Sequence, residues 1–237
     1  MTTERPSPSR KPRAYHHGNL REALIQAAVE LIEHDGLDGL SVREAAKRAG
    51  VSPGAPFRHF ASKTALLTAV AEQATQRLRT RVEAALAKVA DAPPLVRVGA
   101  IGHAYIEWAR AHPTHFRVIS ERSLIDYDAS PTLRSDNEAI RAKMHALFSE
   151  AFAQGEGTAG AEVAHAQVAS RALVYGLARM AVDGHFPEWC ISGQPTARTM
   201  AQTLEFFMAL LAGAAAAGPA SEASSTASPK ARARQKR

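Results

Sequence analysis

The stretch SVREAAKRAGVSPGAPFRHF, Ser41 to Phe60, decides how this chain is read. Ser41, followed three residues later by Glu44, is a capping box: a hydroxyl and a carboxylate placed to satisfy the first free N–H groups of a helix. It opens a short helix over about Val42–Ala49, which Gly50 stops. Ser52 with Pro53 supplies a second cap and a proline at the first helical position, so another short helix is expected to end near Phe60. Two short helices joined through Ala49-Gly50-Val51-Ser52, with Ala45 and Val51 facing inward to fix their angle, make a helix-turn-helix pattern. In such a unit the first helix braces across a DNA backbone and the second offers its N-terminal residues to base edges in the major groove. Helical hairpins with a glycine turn also occur in ordinary bundles, so the flanking sequence has to carry part of the argument.

Upstream, Asn19 and Glu22 cap a helix over about Leu20–His34. Its Leu24, Ala27, Ala28, Leu31 and Ile32 form an apolar stripe, and Gly36 ends it. Downstream, Ser62 caps a long helix to about Val89, and Pro93-Pro94 breaks the chain before a helix that stops at His112-Pro113. A short helix is expected around Thr114–Glu121, a loop through Tyr127, and a helix from Ser130-Pro131 to about Gln154. After a turn at Gly155–Gly160 comes a helix over about Glu162–Asp183, a loop from Gly184 to Pro195, and a last helix capped by Thr196. The 3.6-residue period recurs throughout, and no sustained period-2 run interrupts it, so the chain is expected to be all-α.

Charge is distributed unevenly. The formal net charge is +6 over 237 residues. Arg5, Arg10, Lys11 and Arg13 against Glu4 leave +3 at the start; Lys230, Arg232, Arg234, Lys236 and Arg237 against Glu222 leave +4 at the end. Both tails have the composition of disordered basic arms. The leading arm is placed to reach phosphates or a groove, whereas the trailing one reads first as a solubilising segment. The helices nearest the turn are neutral: Arg21, Arg43, Lys47, Arg48, Arg58 and Lys63 face Glu22, Glu30, Glu33, Asp35, Asp38 and Glu44. A neutral module binds phosphate only if its charges are segregated, and the acids gather in the first helix and the turn after it.

Tyr15-His16-His17-Gly18-Asn19-Leu20-Arg21, Gly39-Leu40-Ser41-Val42-Arg43-Glu44-Ala45-Ala46, Gly50 to Phe60, and Ser62-Lys63-Thr64-Ala65-Leu66-Leu67 together resemble the TetR/AcrR family of bacterial regulators over about Tyr15–Val70. The resemblance implies a three-helix helix-turn-helix domain followed by a helical ligand-binding and dimerisation domain. The expected divisions are a basic arm over 1–14, the DNA-binding domain over 15–65, the second domain over 66–213 and a basic tail over 214–237.

It also implies site roles. Ser41 would hold a phosphate, and Arg43 would reach a base, where a guanidinium suits guanine O6 and N7. Ser52, Pro53, Gly54 and Ala55 would open the recognition helix, with Ala55 packing on a thymine methyl. His59 and Lys63 would contact phosphates, and Phe60 would anchor the core. Two departures stand out. Phe57 replaces the family's usual Tyr and cannot make its phosphate bond. Pro56 removes a backbone donor early in a short helix, so that helix is expected to start late or irregularly. Arg58 either reaches a phosphate or is a solvated charge.

In the rest of the chain, His103, Tyr105, Trp108, Phe116, Tyr127, Met144, Phe148, Tyr175 and Met180 stand out as polar, aromatic or sulfur-bearing positions in apolar stretches. As a set they suggest a pocket for a small, mostly apolar ligand. Val168, Ala172, Tyr175, Ala178 and Val182, then Met200, Leu204, Phe207, Leu210 and Leu211, read as core, or as the four-helix dimer interface that the resemblance implies. One short recognition helix reads too few base pairs, so a homodimer on double-stranded operator DNA is expected, with repression relieved by ligand. No metal, cofactor, enzymatic activity or membrane association is expected. The ten histidines show no metal-binding spacing, and a cytoplasmic location agrees with the single Cys190.

Overall fold

Serine hydroxyls start three helices, each accepting a hydrogen bond from the backbone N–H three residues on: Ser41 from Glu44 at 3.1 Å, Ser62 from Ala65 at 3.0 Å and Ser130 from Leu133 at 3.2 Å. Each such cap stabilises its helix by about 1 kcal/mol. The computed structural model describes residues 20–157, 161–189 and 193–213. Both basic tails, the cap expected at Asn19, and Cys190 lie outside the described residues.

Among those described there is no strand. The helices are α1 (Leu20–Asp35), α2 (Val42–Arg48), α3 (Lys63–Ala87), α4 (Pro94–Ala111), α5 (Pro113–Ser120), α6 (Pro131–Ala153), α7 (Val163–Asp183), α8 (Phe186–Trp189) and α9 (Thr196–Leu211). Short 3₁₀ turns occupy Ala55–Arg58 and Arg122–Leu124. No helix among the described residues is long and apolar enough to cross a membrane.

Two readings near the C-terminus need correction. The stretch expected as a loop before the last helix contains α8, held by buried Phe186. The last helix is capped by Pro195, not Thr196: the Pro195 carbonyl accepts from Arg198 N–H at 2.9 Å and Thr199 N–H at 3.2 Å.

The apolar side chains sort into two clusters. One joins α1, α2 and the first half of α3, with Leu24, Ala28, Leu66 and Val70 all wholly buried. The other joins the second half of α3 to α4, α6, α7 and α9 around Phe116 and Phe148, also wholly buried. The eight-residue α5 serves both, because Phe116 belongs to the second cluster and Val118 to the first. Three elements connect the clusters physically: α3, α5 and α6, whose Leu133 belongs to the first cluster and whose Leu147, Phe148 and Ala151 belong to the second.

Candidate nucleic-acid interface

Gly50 builds the turn after α2. Its φ of 71° lies in the left-handed region, which a glycine enters without a Cβ clash. Val51 N–H then donates to the Ala46 carbonyl at 3.0 Å, and Ala45 is fully buried beneath the turn.

The next element departs from the expected helix. Ser52 does not cap it, and the helical stretch is one 3₁₀ turn over Ala55–Arg58, preceded by Gly54 with no side-chain cap. The reason is the missing donor of Pro56. Without that N–H the α-helical bond to the Ser52 carbonyl cannot form, and Ala55 N–H takes it at 3.0 Å instead. The Pro56 carbonyl in turn accepts from both His59 and Phe60 N–H at 2.9 Å. Pro56 and Phe60 are buried, Ala55 is half-buried, and Ser52, Pro53, Gly54, Phe57, Arg58 and His59 are exposed. A Cβ on Gly54 would meet nothing within 4 Å, so that backbone is open to a close approach from outside.

The cations around this reading turn divide into held and free. Arg21 pairs with Glu72 at 3.1 Å and lies over the Phe60 ring; Arg48 pairs with Glu30 at 3.7 Å and Lys47 with Glu44 at 3.5 Å. Lys63 donates to the Leu37 carbonyl at 2.5 Å, tying the start of α3 to the turn after α1. That bond uses one of the three N–H donors of the Lys63 ammonium and leaves two for the phosphate contact expected of it. Arg43 and Arg58 are exposed and make no ion pair among the described residues. The Ser41 hydroxyl spends its acceptor on the cap but keeps a proton to donate.

A hydrolase nucleophile turn is not expected from the sequence, yet Gly50-Val51-Ser52-Pro53-Gly54 does carry its Gly-x-Ser-x-Gly spacing. No strand precedes it, and the exposed Ser52 side chain has no hydrogen-bond partner among the described residues. The spacing here belongs to a turn between helices.

Away from the turn, the expected ligand residues fall in two places. Tyr105 lies edge-on to Phe116 at 6.4 Å between centroids, Trp108 lies 6.3 Å from Tyr105, and Tyr175 lies 5.8 Å from Phe116. Phe148 is wholly buried in the same cluster, with Met144 and Met180 packed against it, while His103 is half-buried on α4. Tyr127 is elsewhere, against the N-terminal cluster and under the Arg122 guanidinium. The Trp108 indole Nε1 and Tyr105 hydroxyl are buried with no hydrogen-bond partner, and Arg171 lies over the Tyr105 ring at 4.7 Å. Burial raises the Tyr105 hydroxyl above its ordinary pKa.

Sequence reasoning missed a polar network linking α5 to α1 and α3. His115 Nε2 lies 3.2 Å from Gln73 Oε1, and Gln73 Nε2 donates to Glu22 at 2.5 Å; Thr114 donates to Glu33 at 3.3 Å. Burial first, then Arg77 and His112, push His115 down to about 4. The fold thus favours its neutral form, so the unfolded chain takes up the proton first as pH falls below about 6.5. The stability that depends on neutral His115 is whole above that pH and is lost progressively toward pH 4. The urea midpoint is expected to drop between pH 7 and pH 5, and to drop less in His115→Gln, which keeps a donor toward Gln73 but takes no proton.

Comparison with known proteins adds five matches. Residues 24–70 match the family described as bacterial regulatory proteins, tetR family, and residues 98–204 match a tetracyclin repressor-like C-terminal domain. The chain is 30% identical over 200 residues to the HTH-type transcriptional regulator BetI of Cronobacter sakazakii, covering 82% of this chain and 92% of that one. It is 48% identical over 52 residues to the class C tetracycline repressor protein of Escherichia coli, covering 22% of this chain and 24% of that one. Among solved structures, a protein with unknown function from Rhodococcus sp. RHA1 superposes with a TM-score of 0.69 at 29% identity, covering 85% of this chain and all of that one.

Proposed function

The chain belongs to the tetR family of bacterial regulatory proteins, and from that membership we propose that a homodimer of it holds double-stranded operator DNA and releases it when a small, mostly apolar molecule binds. Such regulators are ligand-responsive DNA-binding proteins, and this chain is one of them. In this reading residues 15–65 form the DNA-binding unit and residues 66–213 the ligand-binding and dimerisation unit. The observation that carries the DNA contact is the pair of free, exposed guanidinium groups, Arg43 and Arg58, beside the open tip at Ser52–Gly54. Arg43 reads a base edge; Ser41, Arg58 and His59 hold phosphates; Pro53, Gly54 and Ala55 let the backbone come close.

Dimerisation is supported by apolar side chains left uncovered on α7 and α9: Val168 is 68% exposed, Phe206 58% and Leu210 48%. The ligand contact is supported by the ring set around Tyr105, Trp108, Phe116 and Tyr175, where two buried donors lack acceptors. A molecule entering there works against α4, α5 and α7, and α5 passes the change to α1 through Thr114 and His115. By linkage the molecule must bind the DNA-incompetent state more tightly.

Selection from random duplex oligonucleotides tests the proposal. A two-fold symmetric sequence is expected to enrich, and the absence of any enriched sequence would refute it. On the selected duplex, removal of residues 1–14 is expected to weaken binding at all sequences and to lower the slope of log affinity against log salt by roughly 2 to 3 per chain, since that arm carries a net +3. An unchanged slope removes the arm from the interface.

A further inference from the structure

Among residues 20–90, one large apolar side chain is exposed, and the others are buried or partly buried. Leu24, Ile25, Leu31, Ile32, Leu40, Phe60, Leu66 and Leu67 are each no more than 4% exposed, whereas Phe57 is 47% exposed. It has no aromatic or cationic partner among the described residues. It stands three residues after Gly54 on a turn whose period is three, so the two share an edge, and that edge is the open one. The free guanidinium groups of Arg43 and Arg58 belong to the same short unit.

Resting on the DNA-binding reading above, we propose that Phe57 is a specificity-determining residue that recognises a thymine by packing its ring on the C5-methyl group in the major groove. A benzyl side chain offers no hydrogen bond to a phosphate or to a base edge. The apolar feature that a major groove presents is the thymine methyl, and apolar side chains select for it. Phe57 is held at the tip because Pro56, buried directly before it, fixes the turn from beneath. The neighbouring cations supply the charge that brings the duplex to the ring, and the ring supplies discrimination between thymine and cytosine. Each half-site therefore carries one thymine whose methyl group is read, and two-fold symmetry doubles its effect.

Replacing thymine by deoxyuridine in the selected operator removes the methyl group and leaves every hydrogen-bonding group in place. One symmetric pair of positions is expected to lose about four-fold in affinity per half-site, about fifteen-fold when both are replaced, the amount that one buried methyl contributes. With Phe57→Ala, thymine and deoxyuridine duplexes are expected to bind equally; Phe57→Leu, still apolar, is expected to keep part of the difference. The substitution is at an exposed position, and thermal melting of each variant checks that the fold is retained. Three results would overturn the proposal: no thymine sensitive to the exchange, a thymine-to-deoxyuridine ratio that persists in Phe57→Ala, or a loss in Phe57→Ala that no thymine accounts for, as when the ring packs on deoxyribose. Each requires that an operator has been selected, so each is distinct from failure to select any DNA.

Discussion

Arg43→Ala is expected to weaken operator binding about a thousand-fold. A bidentate guanidinium–guanine contact contributes about 2 kcal/mol, and a symmetric operator contains it twice, giving about 4 kcal/mol. The fold has no stake in this side chain, because Arg43 is exposed and makes no ion pair among the described residues. Unfolding free energy should therefore stay within about 0.5 kcal/mol of the parent. Arg43→Lys keeps the charge and loses the planar fork, so it should recover salt-dependent binding without sequence preference. Lys47→Ala on the same helix is the control, since Lys47 is 80% exposed and pairs only with Glu44. Fluorescence anisotropy at fixed salt reads all three. An Arg43→Ala affinity within ten-fold of the parent would take the base contact away from Arg43.

Phe116→Ala is expected to lower folding stability by about 3 to 5 kcal/mol, the cost of emptying a wholly buried aromatic site. The ring is enclosed by Tyr105 on one side and Tyr175 on another, residues from α4 and α7 that cannot collapse into the space without moving their helices. Phe148→Ala, equally buried but on α6, should cost a similar amount in urea unfolding. The two variants should differ in what else they change. Phe116 is two residues from Val118, which belongs to the N-terminal cluster, so its loss should loosen the docking of α1 on α5 and weaken DNA binding as well. A DNA affinity unchanged in Phe116→Ala would show that α5 does not connect the clusters functionally.

The helix starts at Ser41, Ser62 and Ser130 were legible in the sequence because a cap is a local device, closed within four residues. The apolar stripe of α1 was legible for the same reason of short period. The reading turn was only half legible. Pro56 announced an irregularity, but its form follows from which carbonyl loses its donor, and that is a property of the closed turn. Lys63 could not be placed from sequence, since its acceptor, the Leu37 carbonyl, is brought to it by packing across 26 positions. Tyr127 looks like Tyr105 as a residue type, yet it packs with the other cluster because the chain after α5 runs back toward α3. The network of His115, Gln73 and Glu22 left no pattern at all, its members coming from three helices with no fixed spacing.

The length of α3 has a mechanical consequence. Its 25 residues span about 37 Å, with one end in each hydrophobic cluster. A rod of that length works as a lever: a tilt of about 5° displaces its far end by about 3 Å, close to the rise of one base pair. In the proposed dimer two such levers face each other across a two-fold axis, so the error doubles at the DNA. A rearrangement no larger than one side chain's worth of space among the rings thus puts both reading turns out of step with a groove that repeats about every 34 Å. A stiff helix lets a small molecule act at a distance without either end having to unfold.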